Sequence, residues 1–483
     1  MTYDIIIIGA GLGGLTAGAK LAKEGKKVLL IEQHNRPGGC ATTFKRKDFV
    51  FEVGLHEMDG LVNADMKIKI FRELGVFDKV EFLRVPEFYH FINKRYEITI
   101  PHDPEKAIEV LTDNFPEEKT GIKAYFDQIV NAKRKAKESE GKPEISLGEF
   151  LDSIINNEDL KLVLLGNLGY FHDDPYSVSL IYYSLAQGRY FLGGGNFIKG
   201  GSQKLSNYLS DFISQNGGKV IFKNMVTEIL TDNNKAVGIK YRENTKKASE
   251  IKTAFAEEII ANAAIPNVAN MLLPKEQGES LQQNIDELEI GASLLTVYMG
   301  FKKKVKDIGS KYYSTFIFDD SIKTQADIKN NHRGDFKERS FTFIDYSQID
   351  SALTMEDKSV GVICCIDYYS DWDKLNKEEY KAKKKEVGEI YLEKLEKLIP
   401  GIKDQIEYYE VGTSKTVARY TLNPEGAVYG FAQTPRRIMH DKIQSTENLH
   451  FASAWTKIGG GFSGAIFSGY LCALDILRKN RQK

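Results

Sequence analysis

Four cysteines in 483 residues, Cys40, Cys364, Cys365 and Cys472, are too few and too scattered for a disulfide framework or a zinc site. Their scarcity fits a reducing, cytoplasmic setting. The eight histidines include no H-x-x-x-H or H-E-x-x-H pair, so no metal centre is expected. No charge sign dominates: 66 Lys and Arg face 67 Asp and Glu, a net charge of -1. A balanced chain has no global field to gather nucleic acid, and no nucleic-acid partner is expected. Two local basic runs, residues 302–304 and 383–385, read as solvated loop and helix faces; the sharper alternative is contact with a membrane surface. No stretch reads as a membrane span. Residues 459–477 are long enough and carry only Asp475 as a charge, but their glycine-rich start favours a buried helix. Met1 leads straight towards a strand without a basic n-region or cleavage site, so no signal peptide is expected. There is no internal repeat and no low-complexity tract.

What the chain does have is length and apolar bulk. Hydrophobic residues make up 42% and aromatics 11%, with 27 Phe and 24 Tyr. Chains beyond roughly 250–300 residues usually divide, so two domains are expected, with aromatic side chains to spare for a lined cavity.

Residues 3–8 are an apolar, β-branched run, as in a buried parallel strand. Residues 9–14 form a turn, 15–24 have helical spacing, and 27–32 read as a second strand, making one βαβ unit. Helical patterns follow near 66–74, 119–137, 147–155 and 159–168, with strand-like pieces between 88 and 100. A glycine-rich stretch at 193–201 precedes a helix at 205–215 and strands at 219–230, 236–241 and 255–261. Strands at 294–301, 340–346 and 360–368 suggest a second sheet. Residues 376–399 form an amphipathic helix with Val387, Tyr391, Leu395 and Leu398 on its apolar stripe. A short strand at 449–452 leads to a glycine-rich turn and a last helix at 466–477.

The turn Gly9-Ala10-Gly11-Leu12-Gly13-Gly14 fits G-x-G-x-x-G. Gly9 permits the sharp turn off the strand, Gly11 lets a pyrophosphate approach the backbone, and Gly14 lets helix and strand pack closely. The helix N-terminus offers free N–H groups and a positive dipole end to phosphate. Glu32 ends the next strand, 18 residues after Gly14, where a carboxylate accepts hydrogen bonds from ribose hydroxyls and repels a 2′-phosphate. FAD and NAD share this fingerprint. A second glycine signature, Gly459-Gly460-Gly461-Phe462-Ser463-Gly464-Ala465, lies at the opposite end of the chain and also precedes an apolar helix. A site made from both chain ends suits a long cofactor, which favours FAD.

Further motifs carry a family resemblance. Glu32-Gln33-His34, Arg36-Pro37-Gly38-Gly39-Cys40 and Thr43-Phe44 resemble the second-strand region of retinol saturases and carotenoid isomerases, a branch of the phytoene desaturase superfamily. Residues 51–56, Phe-Glu-Val-Gly-Leu-His, resemble that family's F-D-x-G-hydrophobic-H segment, with Glu52 in place of Asp. Residues 191–202, 420–426 and 452–470 resemble its central and C-terminal signatures, so the likeness spans the chain. The resemblance implies an α/β fold: a discontinuous Rossmann-like FAD domain, residues 1–80, 190–275 and 430–483, with an inserted mixed α+β substrate domain, residues 81–189 and 276–429. It implies that Gly9, Gly11, Leu12, Gly13, Gly14, Glu32 and Gln33 hold the adenosine and pyrophosphate of FAD. Gly38, Gly39 and Cys40 pass beside the phosphates or flavin, and Val226 contacts adenine through its backbone. Ala454, Gly460, Gly461, Phe462, Ser463 and Ala465 surround the flavin end. The implied substrates are long polyenes or unsaturated lipids, such as carotenoids or retinoids.

A flavin exchanges hydride without a protein nucleophile, so the lack of a Ser–His–Asp set is in keeping. His56 is the candidate catalytic residue in the cluster His56, Glu57 and Asp59, whose plain alternative is a solvated turn. Lys457 is a second candidate, to offset charge on reduced flavin, with a surface lysine as its plain alternative. His172, Asp173 and Asp174 read as a helix boundary with Asp as cap, and Cys40 as a packing residue. Saturation, desaturation and isomerisation of double bonds all share the hydride step and stay open here, as does the electron acceptor or donor. Two further readings stand beside them: a flavin amine oxidase, and a non-catalytic prenyl-binding carrier of the same fold. The location implied is the cytoplasm, with peripheral membrane contact as the alternative that a lipid substrate adds.

Overall fold

The structure is a computed structural model that describes residues 2–62, 65–245, 249–355, 357–439, 443 and 446–482. The isoleucine run at the start forms the strand Thr2–Ile8, parallel to Val28–Ile31 on one side and to Lys252–Ala261 on the other. Ile5 and Ile7 pack into one core and Ile6 and Ile8 into a second, all but fully buried. A strand covered on both faces needs apolar side chains at every position, which is why it reads as a run and not as an alternation.

The sheet order is Lys219–Ile221, Val28–Ile31, Thr2–Ile8, Lys252–Ala261, Lys235–Glu243 and Asn224–Asp232, with Leu449–Phe451 also paired to Lys252–Ala261. Helices Leu12–Lys23, Gln203–Gln215 and Gly461–Gln482 cover one face. The two chain ends therefore meet in one layer. At their crossing, a Cβ on Gly469 would collide with the backbone carbonyl of Gly13.

A second sheet runs Ile406–Gly412, Ser293–Phe301, Ser359–Asp367, Phe341–Asp345, Ser314–Ile317, Tyr89–Ile92 and Glu97–Ile100. Its neighbours are antiparallel except Ser314–Ile317 and Tyr89–Ile92. The amphipathic helix Lys377–Leu398 covers one face, packing Val387, Tyr391, Leu392 and Leu395 on Leu295, Val297, Met299 and Ile363. Helices between residues 104 and 193 build a further core with Phe91, Phe316 and Phe318.

Several local expectations change. The helix expected at 119–137 breaks at Asn131 into Lys119–Val130 and Ala132–Glu138; the Asn131 side chain donates to Asp127 at 2.7 Å. The strand expected at 219–230 splits at Lys223, because its halves pair with different partners. The glycine-rich stretch at 193–201 holds the end of a helix, Leu180–Gly193, and a buried strand, Gly195–Ile198. Asp173 and Asp174 cap no helix: Ser179 does, its hydroxyl accepting from the Tyr182 N–H at 3.0 Å. The last helix begins at Gly461, so Phe462 to Ala465 form its first turn, where the sequence pattern alone suggested a loop. Among the described residues, no helix is long and apolar enough to cross a membrane.

Candidate active site

Between the two sheets lies a cavity of about 1150 Å³. Ordinary small-molecule pockets hold roughly 300–1,000 Å³, so this one has room for more than a single ligand of common size. At one end its wall is the glycine turn, Glu32, the loop 33–44 and the strand Asn224–Asp232. At the other it is the open face of the second sheet and the helix Leu180–Gly193.

The turn off the first strand puts Gly9 at φ +95, a backbone conformation that other residues adopt only under strain. A Cβ on Gly13 would collide with the Ala452 carbonyl, and one on Gly14 with that of Gly9. Both glycines therefore serve packing. Gly11 differs: a Cβ there would have the Asn262 amide nitrogen, 2.8 Å away, as its nearest neighbour at the cavity wall. Helix Leu12–Lys23 has no side chain capping its start, which leaves first-turn N–H groups available beside Gly11. Glu32 is buried, and its two oxygens accept from the backbone N–H groups of Ala10 and His34, each at 2.8 Å. The carboxylate thus holds the glycine turn onto the second strand, and its remaining lone pairs are the ones a ribose would use. Gly38 donates its N–H to the Ala10 carbonyl at 2.7 Å, bringing the 38–40 segment alongside the turn. The register shift between Val226 and Glu228 leaves Thr227 as the extra, unpaired residue of the strand, next to Val226 on the cavity wall.

The C-terminal glycines meet the same cavity. A Cβ on Gly460 would lie 2.6 Å from the Tyr429 Cα, so this loop packs flat against the chain at 429. In the first helical turn, the Ser463 hydroxyl donates to Asp59. Burial works to raise Asp59, but Lys67, Arg189 and Ser463 outweigh it and hold the carboxyl below its usual range. Lys67 is itself fully buried and pairs with Asp65 at 3.0 Å and Asp59 at 3.5 Å. Arg437 donates to the carbonyls of Phe431, Ala454 and Thr456, and burial pushes its guanidinium down to about 10.

The candidate proton groups sit where the two ends join. His56 Nδ1 is 3.1 Å from the Tyr170 hydroxyl, and burial pulls the imidazole down to about 4. The ring is neutral at pH 7. Glu57 is buried on the cavity wall with neither carboxylate oxygen hydrogen-bonded. Desolvation, with Glu87 and Asp59 adding to it against Arg84, pushes Glu57 well above the usual carboxylate range. It is therefore a buried acid whose protonated form the site favours. Glu52, which stands where Asp is more usual, is structural: it accepts from the N–H and hydroxyl of Ser202, both at 2.7 Å, and from the N–H groups of Gly54 and Leu55.

Of the candidate catalytic and cofactor residues, all except Gly14 line this one cavity: His56, Lys457, Gly9, Gly11, Leu12, Gly13, Glu32, Gln33, Gly38, Gly39, Cys40, Val226, Ala454, Gly460, Gly461, Phe462, Ser463 and Ala465. Lys457 is exposed at the rim, whereas His56 is half-buried at the cavity wall. Desolvation pushes the Cys40 thiol up to about 11, which suits packing and not redox work. Sequence reasoning missed the helix Leu180–Gly193, which brings Tyr182, Leu185, Arg189 and Tyr190 to the wall. It also missed the row of side chains that the second sheet turns inwards. A clue to the helix was present in Ser179, a capping residue just before the apolar run.

These groups fit an FAD: phosphate donors at an uncapped helix start, a ribose acceptor at Glu32, the strand irregularity at Thr227 beside Val226 and a second helix start at Gly461. Comparison with known proteins points the same way. Residues 12–477 match the family model described as flavin containing amine oxidoreductase. The chain is 27% identical over 507 residues to a chloroplastic prolycopene isomerase 2 of an Oncidium hybrid cultivar, covering 98% of this chain and 83% of that one. It is 27% identical over 533 residues to the all-trans-retinol 13,14-reductase of Danio rerio, covering 99% and 86%. Among solved structures it superposes on an oxidoreductase from Methanosarcina mazei with a TM-score of 0.65 at 18% identity, covering 99% of this chain and 100% of the other. A putrescine oxidase superposes with a TM-score of 0.65 at 16% identity, covering 99% of each chain. At these identities the superpositions establish the fold.

Proposed function

The chain belongs to the flavin containing amine oxidoreductase family, and from that premise we propose that this FAD-dependent oxidoreductase saturates, desaturates or isomerises double bonds in an apolar polyene or related lipid. The observation that carries the substrate class is the cavity's second half. There Leu168, Tyr170, Leu185, Phe316, Phe318 and Ile366 make an apolar, aromatic-rich chamber continuous with the nucleotide end. The similarity to enzymes named for prolycopene and for all-trans-retinol supports the same reading.

When bound, flavin supplies hydride exchange. The protein's own contribution is placement and protons. Residues 1–80, 190–275 and 430–483 form the nucleotide half, and Gly11, Glu32, Val226 and the helix start at Gly461 hold the cofactor. Residues 81–189 and 276–429 form the substrate half and exclude water. Glu57 lines the chamber with its carboxyl oxygens covered beside Gly195, a proton reserve behind the wall, and neutral His56, positioned by Tyr170, relays or receives a proton at the cavity. Lys457, exposed at the cavity rim, is the second candidate, to offset charge on reduced flavin.

The test supplies the purified holoprotein, without oxygen, with prolycopene, all-trans-retinol or putrescine, and separates products by chromatography. A changed polyene with putrescine untouched is the expected result. Putrescine consumption with both polyenes unchanged overturns the reading in favour of an amine oxidase. A colourless protein that releases no flavin on denaturation would instead favour a lipid carrier.

A further inference from the structure

We propose that the chamber ends, on the second sheet's side, in a subsite for a hydroxyl group on the end of a rod-shaped apolar substrate, with His332 and Ser340 as its recognition residues. The inference rests on the polyene reading above and names the end group that reading leaves open.

The floor of the chamber gives the rod. Gly412, Thr296, Cys364 and Thr342 lie side by side on four neighbouring strands, joined by the pairs Thr296↔Gly412, Thr296↔Cys364 and Thr342↔Cys364. All four line the cavity. Each is small, while the flanking rows put Tyr298 on one side and Leu294 with Ile366 on the other. Neighbouring strands are about 4.8 Å apart, so this trough crosses roughly 14 Å of sheet. Its next member, Phe316, pairs with Thr342 and ends the run of small side chains.

The wall beyond is built from Phe318, Ile328 and His332, all buried. His332 Nδ1 lies 3.1 Å from the Asp173 backbone carbonyl. A carbonyl only accepts, so Nδ1 carries the ring proton. Burial holds the imidazole down at about 4, which keeps the ring neutral and leaves Nε2 as a bare acceptor. Among the described residues nothing donates to Nε2. Ser340 lines the same wall, and its backbone N–H is held by Asn331, the residue before His332, at 2.9 Å. The Ser340 oxygen accepts from the Asp319 N–H at 3.1 Å, which leaves its own proton to give. The pair presents one acceptor and one donor at the cavity wall. An alcohol satisfies both. A hydrocarbon leaves Nε2 unpaired, and a carboxylate faces the Nε2 lone pair with its own.

The test measures dissociation constants of the holoprotein for all-trans-retinol, its hydroxyl-free hydrocarbon and all-trans-retinoic acid, by retinoid fluorescence at pH 7.5. Wild-type protein is expected to prefer the alcohol about tenfold over each of the others, the worth of a buried hydrogen bond left unmade. His332→Leu should bring the three within about twofold while flavin content and melting temperature stay near wild type. If that variant does not retain flavin, Ser340→Ala carries the test and should reduce the preference about threefold. Equal binding of all three by wild type overturns the subsite alone, as does a full preference surviving in both variants. Failure of all three ligands to bind overturns the polyene reading and the subsite with it.

Discussion

Two residues at the cavity wall separate what a glycine does for packing from what it does for a ligand, and what a carboxyl does for chemistry from what it costs. A Cβ on Gly11 would meet only the Asn262 side-chain amide, which can shift, unlike Gly13 and Gly14, whose added Cβ atoms would strike backbone. Gly11→Leu should therefore leave the protein folded, with a melting temperature within a few degrees of wild type without cofactor, yet abolish flavin retention. Flavin bound one to one in the purified variant would remove Gly11 from the pyrophosphate site. Glu57 poses the other question. Its folded pKa is raised, so its contribution to stability is whole below the unfolded carboxyl value of about 4.3 and is lost as pH rises towards the folded value. Glu57→Gln keeps the shape and cannot ionise. The variant should melt with wild type at pH 4 and about 2 °C or more above it at pH 8, while polyene turnover falls at least tenfold. Equal melting at both pH values would mean that Glu57 is not a buried acid, and unchanged turnover that it is not the proton source.

At the scale of elements, the junction of the first and last helices decides whether the two glycine loops face one cavity. Gly469 touches no cavity, but a side chain there would strike the Gly13 carbonyl and push helix Gly461–Gln482 off helix Leu12–Lys23. Gly469→Leu should thus lose flavin and stability together, by several degrees, which distinguishes it from Gly11→Leu; thermal melts with and without added FAD read both. This scale also shows what the sequence could and could not convey. The strand–turn–helix at residues 2–23 was legible because its glycines, its isoleucine run and Glu32 act within 31 residues. The closing of both ends on one cavity was legible from two matching turns. The trough through Gly412, Thr296, Cys364 and Thr342 was not, because its order is set by cross-strand register between segments 22, 68 and 116 residues apart. His332 was equally hidden: its tautomer depends on the Asp173 carbonyl, 159 residues away. Nor does helical spacing reveal where a helix starts beside glycines, and so the last one begins five residues before the expected 466.

For the whole molecule, the decisive feature is that nucleotide end and apolar chamber share one space of about 1150 Å³. Sheet, glycine loops and C-terminal helix close one side, and the second sheet closes the other, with no wall between. Anything that fills the chamber must then change the surroundings of the cofactor, because it displaces water from the same continuous volume and lowers the local dielectric. A ligand that binds without reacting shows this free of chemistry. Retinyl methyl ether, added to oxidised holoprotein in the dark, should shift the flavin's visible bands and sharpen their vibrational shoulders, with a midpoint equal to the dissociation constant from retinoid fluorescence. His56→Asn, which leaves the chamber open, should keep that shift. Binding of the ether with a flat flavin difference spectrum would mean that ligand and cofactor occupy separate compartments, and the hydride exchange inferred from their continuity would then have no path.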